Sequence, residues 1–118
     1  MLAEKLVAVM VHVPDPRAGL AWYQAAFPDA RRARAKEGEF EFLVLGEVQI
    51  EVVASDEKVK SGPCGTVVYW SVPNLDEALS SLHVNGATLY RGSMNIEDGL
   101  RMCQVQDPWG NCIGLRGR

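Results

Sequence analysis

The chain has 118 residues, 47% apolar and 23% charged, with a formal net charge of −3. That length fits one domain with a core of its own, and the composition is ordinary for a globular fold. The acidic balance argues against a nucleic-acid surface, which needs a basic patch or stripe. The one basic run, "RRARAK" at 31–36, reads as a solvated strand or loop face.

The N-terminal "KLVAVMVHV" is Val-rich and stops at Pro14, which predicts a central strand rather than a membrane span. No membrane partner is expected. Asp15 then offers an N-cap and Pro16 a first helical residue. Leu20, Tyr23 and Phe27 recur at helical spacing, so a helix is predicted from Pro16 to Phe27, ended by Pro28. The stretch from Ala30 to Val53 reads as strands. Within it "FEFLVL" turns at Gly46-Glu47 and "EVQIEVV" returns. The polar, Gly/Pro-marked "ASDEKVKSGPCG" is the internal linker, centred on residues 56–63.

"TVVYWSV" predicts the next strand. A second helix is expected from Asn74 to Asn85, with Asn74 as cap, Glu77 three residues on, and Leu75, Ala78, Leu79 and Leu82 as its apolar stripe. Gly86 stops it. "TLYRGS", "LRMCQVQ" and "NCIGLRG" give three further strands, and "YRGSMNIEDG" reads as a mobile hairpin. The order strand, helix, three strands therefore occurs twice. Val9, Val13, Pro14 and Leu20 fall on Val68, Val72, Pro73 and Leu79 at a spacing of 59 residues, which points to an internal duplication. The three cysteines include no CxxC pair, so reduced thiols and a cytoplasmic location are expected.

The segments "VHVPDPRAGLAWY", "VQIEVV", "VYWSVPNLDEAL" with "NGA", and "VQDPWGNCIGL" carry a resemblance across nearly the whole chain. The sequence resembles the vicinal oxygen chelate superfamily, which includes glyoxalase I, bleomycin resistance proteins and extradiol dioxygenases. The closing Asp-Pro-x-Gly-Asn turn is its most specific element. The resemblance implies an α+β fold in which two βαβββ modules form a curved mixed sheet around a cavity. It implies a single domain over 1–118, with modules at about 1–55 and 64–118. Many short members pair, so a homodimer is expected.

Strand alternation assigns faces. Leu6, Ala8, Met10 and His12 should line the cavity while Val7, Val9, Val11 and Val13 pack under the helix. Gln49, Glu51 and Val53 should face inward, with Ile50 and Val52 in the core. Val67, Tyr69 and Ser71 should face inward in the fifth strand, and Cys112 and Gly114 in the last. The resemblance places four metal ligands at Ala8, Glu51, Val67 and Gly114, and only Glu51 has a donor atom. One carboxylate cannot hold a divalent ion, so no metal and no cofactor are expected. A displaced zinc set of His12, Glu51 and Cys112 is the chemical alternative.

The candidate ligand-binding residues are Glu51, His12, Tyr69, Met10, Gln49, Met102 and Trp109. Glu51 suits a cationic ligand, and Tyr69 a planar or aromatic one. In the alternative, Glu51 pairs within the wall with His12 or Arg101, and for an anionic ligand His12 or Arg101 becomes the better contact. Met94 is a further candidate for an adaptable wall, and an exposed Trp109 would edge the pocket. The leading reading is a metal-free small-molecule-binding protein. The alternatives are a lyase- or isomerase-like enzyme with Glu51 as base, His12 as donor and Tyr69 as orienting group, or a dimeric interaction protein with a vestigial pocket. No nucleophile elbow, phosphate loop or HExxH motif is present.

Overall fold

The computed structural model describes residues 1–36 and 38–118. They form two compact units, Met1–Lys60 and Ser61–Arg118. In the first, β1 (Ala8–Val13) leads to α1 (Pro16–Ala26) and then to β2 (Arg31–Arg34), β3 (Glu41–Leu45) and β4 (Val48–Ala54). In the second, β5 (Val68–Val72) leads to α2 (Leu75–Val84), then to β6 (Thr88–Asn95), β7 (Arg101–Gln106) and β8 (Cys112–Gly117). A short 3-10 turn, Glu97–Gly99, joins β6 to β7. Each unit is thus one βαβββ module, as the repeated element order predicts.

The two sheets have the same topology. Their strand orders are β1-β4-β3-β2 and β5-β8-β7-β6. The first and last strands of each module pair in parallel, and the other neighbours pair antiparallel. A parallel neighbour needs a crossover, and the helix supplies it.

Local chemistry explains the helix ends. The Asp15 carboxylate accepts from the N–H groups of Arg17 and Ala18, with Pro16 at the first helical position. Asn74 Oδ1 accepts from Glu77 N at 3.0 Å. At the far end of α2, Ala87 N–H donates to Leu82 O and Gly86 N–H donates to His83 O. That pair of bonds is a Schellman ending, and the φ of +97° at Gly86 is what it requires. Gly46, at φ +60°, opens the two-residue turn between Leu45 and Val48 in the manner of a II′ hairpin.

Each core lies between a helix and one sheet face. Val13, Leu43, Ile50 and Val52 are buried with Leu20 and Tyr23 of α1. A Cβ on Gly19 would stand 2.7 Å from both Val13 Cγ2 and Val52 Cγ1, so the helix backbone itself rests on the sheet there. Tyr23 is also edge-on to half-buried Trp22 and stacked with Phe27. In the second unit Leu75, Leu82, Ala87, Cys103, Val105, Ile113 and Leu115 are buried. Arg101 sits on this helix side, held bidentate by Asp76 of α2 at 3.1 Å through both nitrogens. The bond lowers the Asp76 carboxyl and raises the Arg101 guanidinium.

Three expectations need correction. The fifth strand begins at Val68, one residue later than Val67's place in it required. The strand expected over "TLYRGS" runs on through Met94 to Asn95 across two bulges, which confines the turn of the hairpin to residues 96–100. Arg101 is committed to Asp76 on the helix side, so it is neither a partner for Glu51 nor a cavity-side anion contact.

The β7–β8 connection is built around one carboxylate. Asp107 is 4% exposed and is the one buried charged residue among those described. Its Oδ1 accepts from Trp109 N at 2.8 Å and Asn111 N at 2.9 Å, and its Oδ2 accepts from Asn111 Nδ2 at 3.0 Å. Asn111 Oδ1 in turn accepts from Gly62 N at 2.9 Å. Asp107→Ala leaves these donors without their acceptor, and we expect a loss of about 2–4 kcal/mol in urea-induced unfolding. An unchanged midpoint would show that the turn does not depend on this carboxylate.

Candidate functional site

The register assigns the face of each sheet that its helix leaves uncovered. In the first unit Ala8 pairs with Gln49, Met10 with Glu51, and His12 with Val53. The alternate residues of those strands, Val13, Ile50 and Val52, are the ones packed under α1. Met10, His12, Gln49 and Glu51 therefore share the uncovered face, as alternation predicts. Glu51 is half-buried, and among the described residues it has no ion-pair partner. His12 lies near the linker carboxylate of Asp56. The N–H groups of Val59 and Lys58 hold that carboxyl below its usual range, and His12 adds a smaller pull in the same direction. Met10 is 54% exposed, which leaves an apolar, deformable side chain beside the Glu51 carboxylate.

In the second unit one transverse row crosses all four strands. Arg91 of β6 pairs with Gln104 of β7, Gln104 with Gly114 of β8, and Gly114 with Tyr69 of β5. Gln104 Nε2 donates to the Tyr69 hydroxyl at 2.8 Å. Cys112 Sγ donates to Gln104 Oε1 at 3.5 Å. The Arg116 guanidinium carbon stands 5.0 Å from the centre of the Tyr69 ring, a cation–π contact. Burial pushes the Cys112 thiol up, and the nearby Arg91 guanidinium draws it partly back. Met102, opposite Arg116 in the register, completes the same face.

The reason Tyr69 can span this row is Gly114. A Cβ there would lie 2.6–2.7 Å from three atoms of the Tyr69 ring. Gly114 is one of the four positions to which the resemblance assigns a metal ligand. It lacks a donor, and its place is overlaid by an aromatic ring. Ala8 and Val67 have no donor either, which leaves Glu51 alone. Among the described residues no group of three or more His, Cys, Asp or Glu is placed to hold a metal ion. The residues present do not fit the metal that the fold family uses.

Trp109 is half-buried in the β7–β8 turn rather than exposed, and its backbone is tied to Asp107. Met94 is an exposed residue of β6. Gln104, Arg116 and Arg91 were missed by sequence reasoning. The signal for two of them was present: if Met102 and Gly114 face inward, period-two alternation carries Gln104 and Arg116 with them. Arg91 was hidden by the β6 bulges, which break that alternation. A separate open groove of about 370 Å³ lies on the helix side of the first unit, lined by Pro16, Arg17, Leu20, Phe40, Glu41 and Val52 among others. It does not coincide with the face that alternation selects.

Known structures place this architecture. The chain has the glyoxalase/bleomycin resistance protein/dioxygenase fold. It superposes on a member of that superfamily from Sphaerobacter thermophilus with a TM-score of 0.75 and 17% identity, covering 100% of both chains. A family enzyme from Burkholderia phytofirmans matches at TM-score 0.72 and 17% identity, over 97% of this chain and 98% of the other. A glyoxalase/bleomycin resistance protein from Albidiferax ferrireducens matches at TM-score 0.71 and 18% identity, over 96% and 98%. No protein-family model matches the sequence. No curated protein matches it either.

The Gly114–Tyr69 fit is directly testable. Gly114→Ala should cost about 1–3 kcal/mol in denaturant unfolding, the usual penalty for an atom forced into occupied space. The same change made in a Tyr69→Ala background should cost markedly less. Equal costs in the two backgrounds would mean that the ring does not fill this position.

Proposed function

We propose that the chain is a small-molecule-binding protein of the glyoxalase/bleomycin resistance type, which works without the metal of the catalytic branches. The observation that carries this reading is the Gly114–Tyr69 overlay: the position of a family metal ligand is taken up by a ring that can itself contact a ligand. Donors at the other positions reduce to Glu51, and one carboxylate is too few for a catalytic metal. The ligand-contact residues are Met10, His12, Gln49 and Glu51 in the first unit, and Tyr69 and Met102 in the second, with Trp109 at the edge. Next to Met10, the unpaired Glu51 carboxylate suits a cationic group. The three free thiols are in keeping with a reducing, cytoplasmic setting.

We also propose a homodimer. In support, β6 is an eight-residue edge strand, exposed throughout, with Leu89, Tyr90 and Met94 among its residues. A long exposed edge with apolar side chains is a surface that proteins ordinarily pair or cover.

Metal analysis of protein purified without chelator should find no stoichiometric zinc, nickel, manganese or iron. One bound equivalent would overturn the metal-free reading. For a cationic ligand obtained by screening, Glu51→Gln should weaken binding by about tenfold, the effect of removing one charge-assisted contact. Equal affinity of the two proteins would remove Glu51 from the site. Light scattering at micromolar concentration should give the mass of a dimer, and the monomer mass alone would reject the pairing.

A further inference from the structure

We propose that the uncovered sheet face of the second unit binds an anionic group, a carboxylate carried on a planar body, with the Tyr69 hydroxyl as hydrogen-bond donor and Arg116 and Arg91 as its countercharges. The inference rests on the small-molecule-binding reading and adds the ligand chemistry of this face.

The direction of the hydrogen bonds is the first argument. Cys112 donates to the Gln104 amide oxygen, and the Gln104 amide nitrogen donates to Tyr69. Tyr69 is thus already an acceptor, and its own O–H has no acceptor among the described residues. A chain of donors that ends on a free O–H is built to meet an acceptor, and a carboxylate is the strongest one common in small metabolites.

Charge is the second argument. The strands β5, β6, β7 and β8 contain no Asp or Glu at all, in a chain whose net charge is −3. Arg116 lies over the Tyr69 ring, and Arg91 is in register with Gln104 and close enough to act on the Cys112 thiol. Neither arginine has a carboxylate partner among the described residues. By contrast, two arginines of the basic strand β2 in the first unit, Arg32 and Arg34, share the Glu41 carboxylate. Two unneutralised guanidinium groups flanking one free donor form an anion site. The flat Tyr69 ring, seated across Gly114, adds an apolar surface for a planar ligand body.

The test uses the full-length, isotope-labelled chain, titrated by NMR with benzoate, benzamide and benzylammonium at constant ionic strength. Benzoate should shift the amides of Tyr69, Gln104 and Arg116, and should bind about tenfold more tightly than benzamide, as charge-assisted hydrogen bonds do. Tyr69→Phe keeps the ring and removes the donor, and should weaken benzoate by about tenfold, as should Arg116→Gln. Benzamide binding as tightly as benzoate, or benzoate indifferent to Tyr69→Phe, overturns the inference. If benzylammonium binds beside Glu51 and benzoate binds nowhere, the anion site fails while the binding-protein reading stands. If none of the three probes binds either face, both fail.

Discussion

The buried carboxylate of Asp107 is the constraint on which the second unit depends. A charge out of water must be met by donors, and three N–H groups of its own turn meet it. That closure sets Gln106 opposite Cys112, and the β7–β8 ladder then runs with Gln104 opposite Gly114. A slip of one residue would send Gln104 to the helix side and bring Cys103 and Val105 out of the core. The polar row beneath Tyr69 therefore exists because a turn outside it is over-determined. Asn111 extends the same network to Gly62, so the segment entering β5 is tied to the turn that orders β8.

The two units share a topology and differ in chemistry. Both leave one sheet face uncovered, and both place their parallel pair at one edge of the strand order. The uncovered face of the first unit carries a carboxylate, Glu51, beside Met10. In the second unit the corresponding face is basic and polar, with a fixed direction of hydrogen bonding from Cys112 through Gln104 to Tyr69. The same frame occurs twice, and the side chains on the alternate residues make the halves chemically opposite. The basic strand β2 shows how little a local charge count reveals. Its arginines read in sequence as a solvated face, and in the structure Arg32 and Arg34 share the Glu41 carboxylate across the ladder.

Much of the fold was legible because the sequence states it at several levels at once. Asp15-Pro16 and Asn74 mark helix starts, and Gly86 marks an end, each through backbone hydrogen bonding that depends on nearby residues alone. The faces of β1 and β4 followed from alternation, since Val13, Ile50 and Val52 leave no other arrangement of Met10 and Glu51. Legibility failed where distant partners decide. Arg101 was read as a partner for Glu51 or for an anionic ligand because Asp76 lies on another element, and nothing local joins them. The end of β6 was placed two residues early because its glycine and polar residues resemble a turn, and only pairing with β7 shows the bulged strand running on. Trp109 looked exposed because a turn residue usually is, whereas the Asp107 network draws this turn inward.

The seat of Tyr69 across Gly114 also governs which sequences can be reached from this one. A side chain placed at residue 114 would meet the ring at its Cβ, so the single substitution carries a cost in stability. A small residue at 69 would relieve that cost, yet that change alone removes the partner of Gln104 and the platform beneath Arg116. Each intermediate on that route gives up the present row before a new donor is in place. The contact of one ring with one glycine thus couples the two positions, and a redesign of either must reckon with the other.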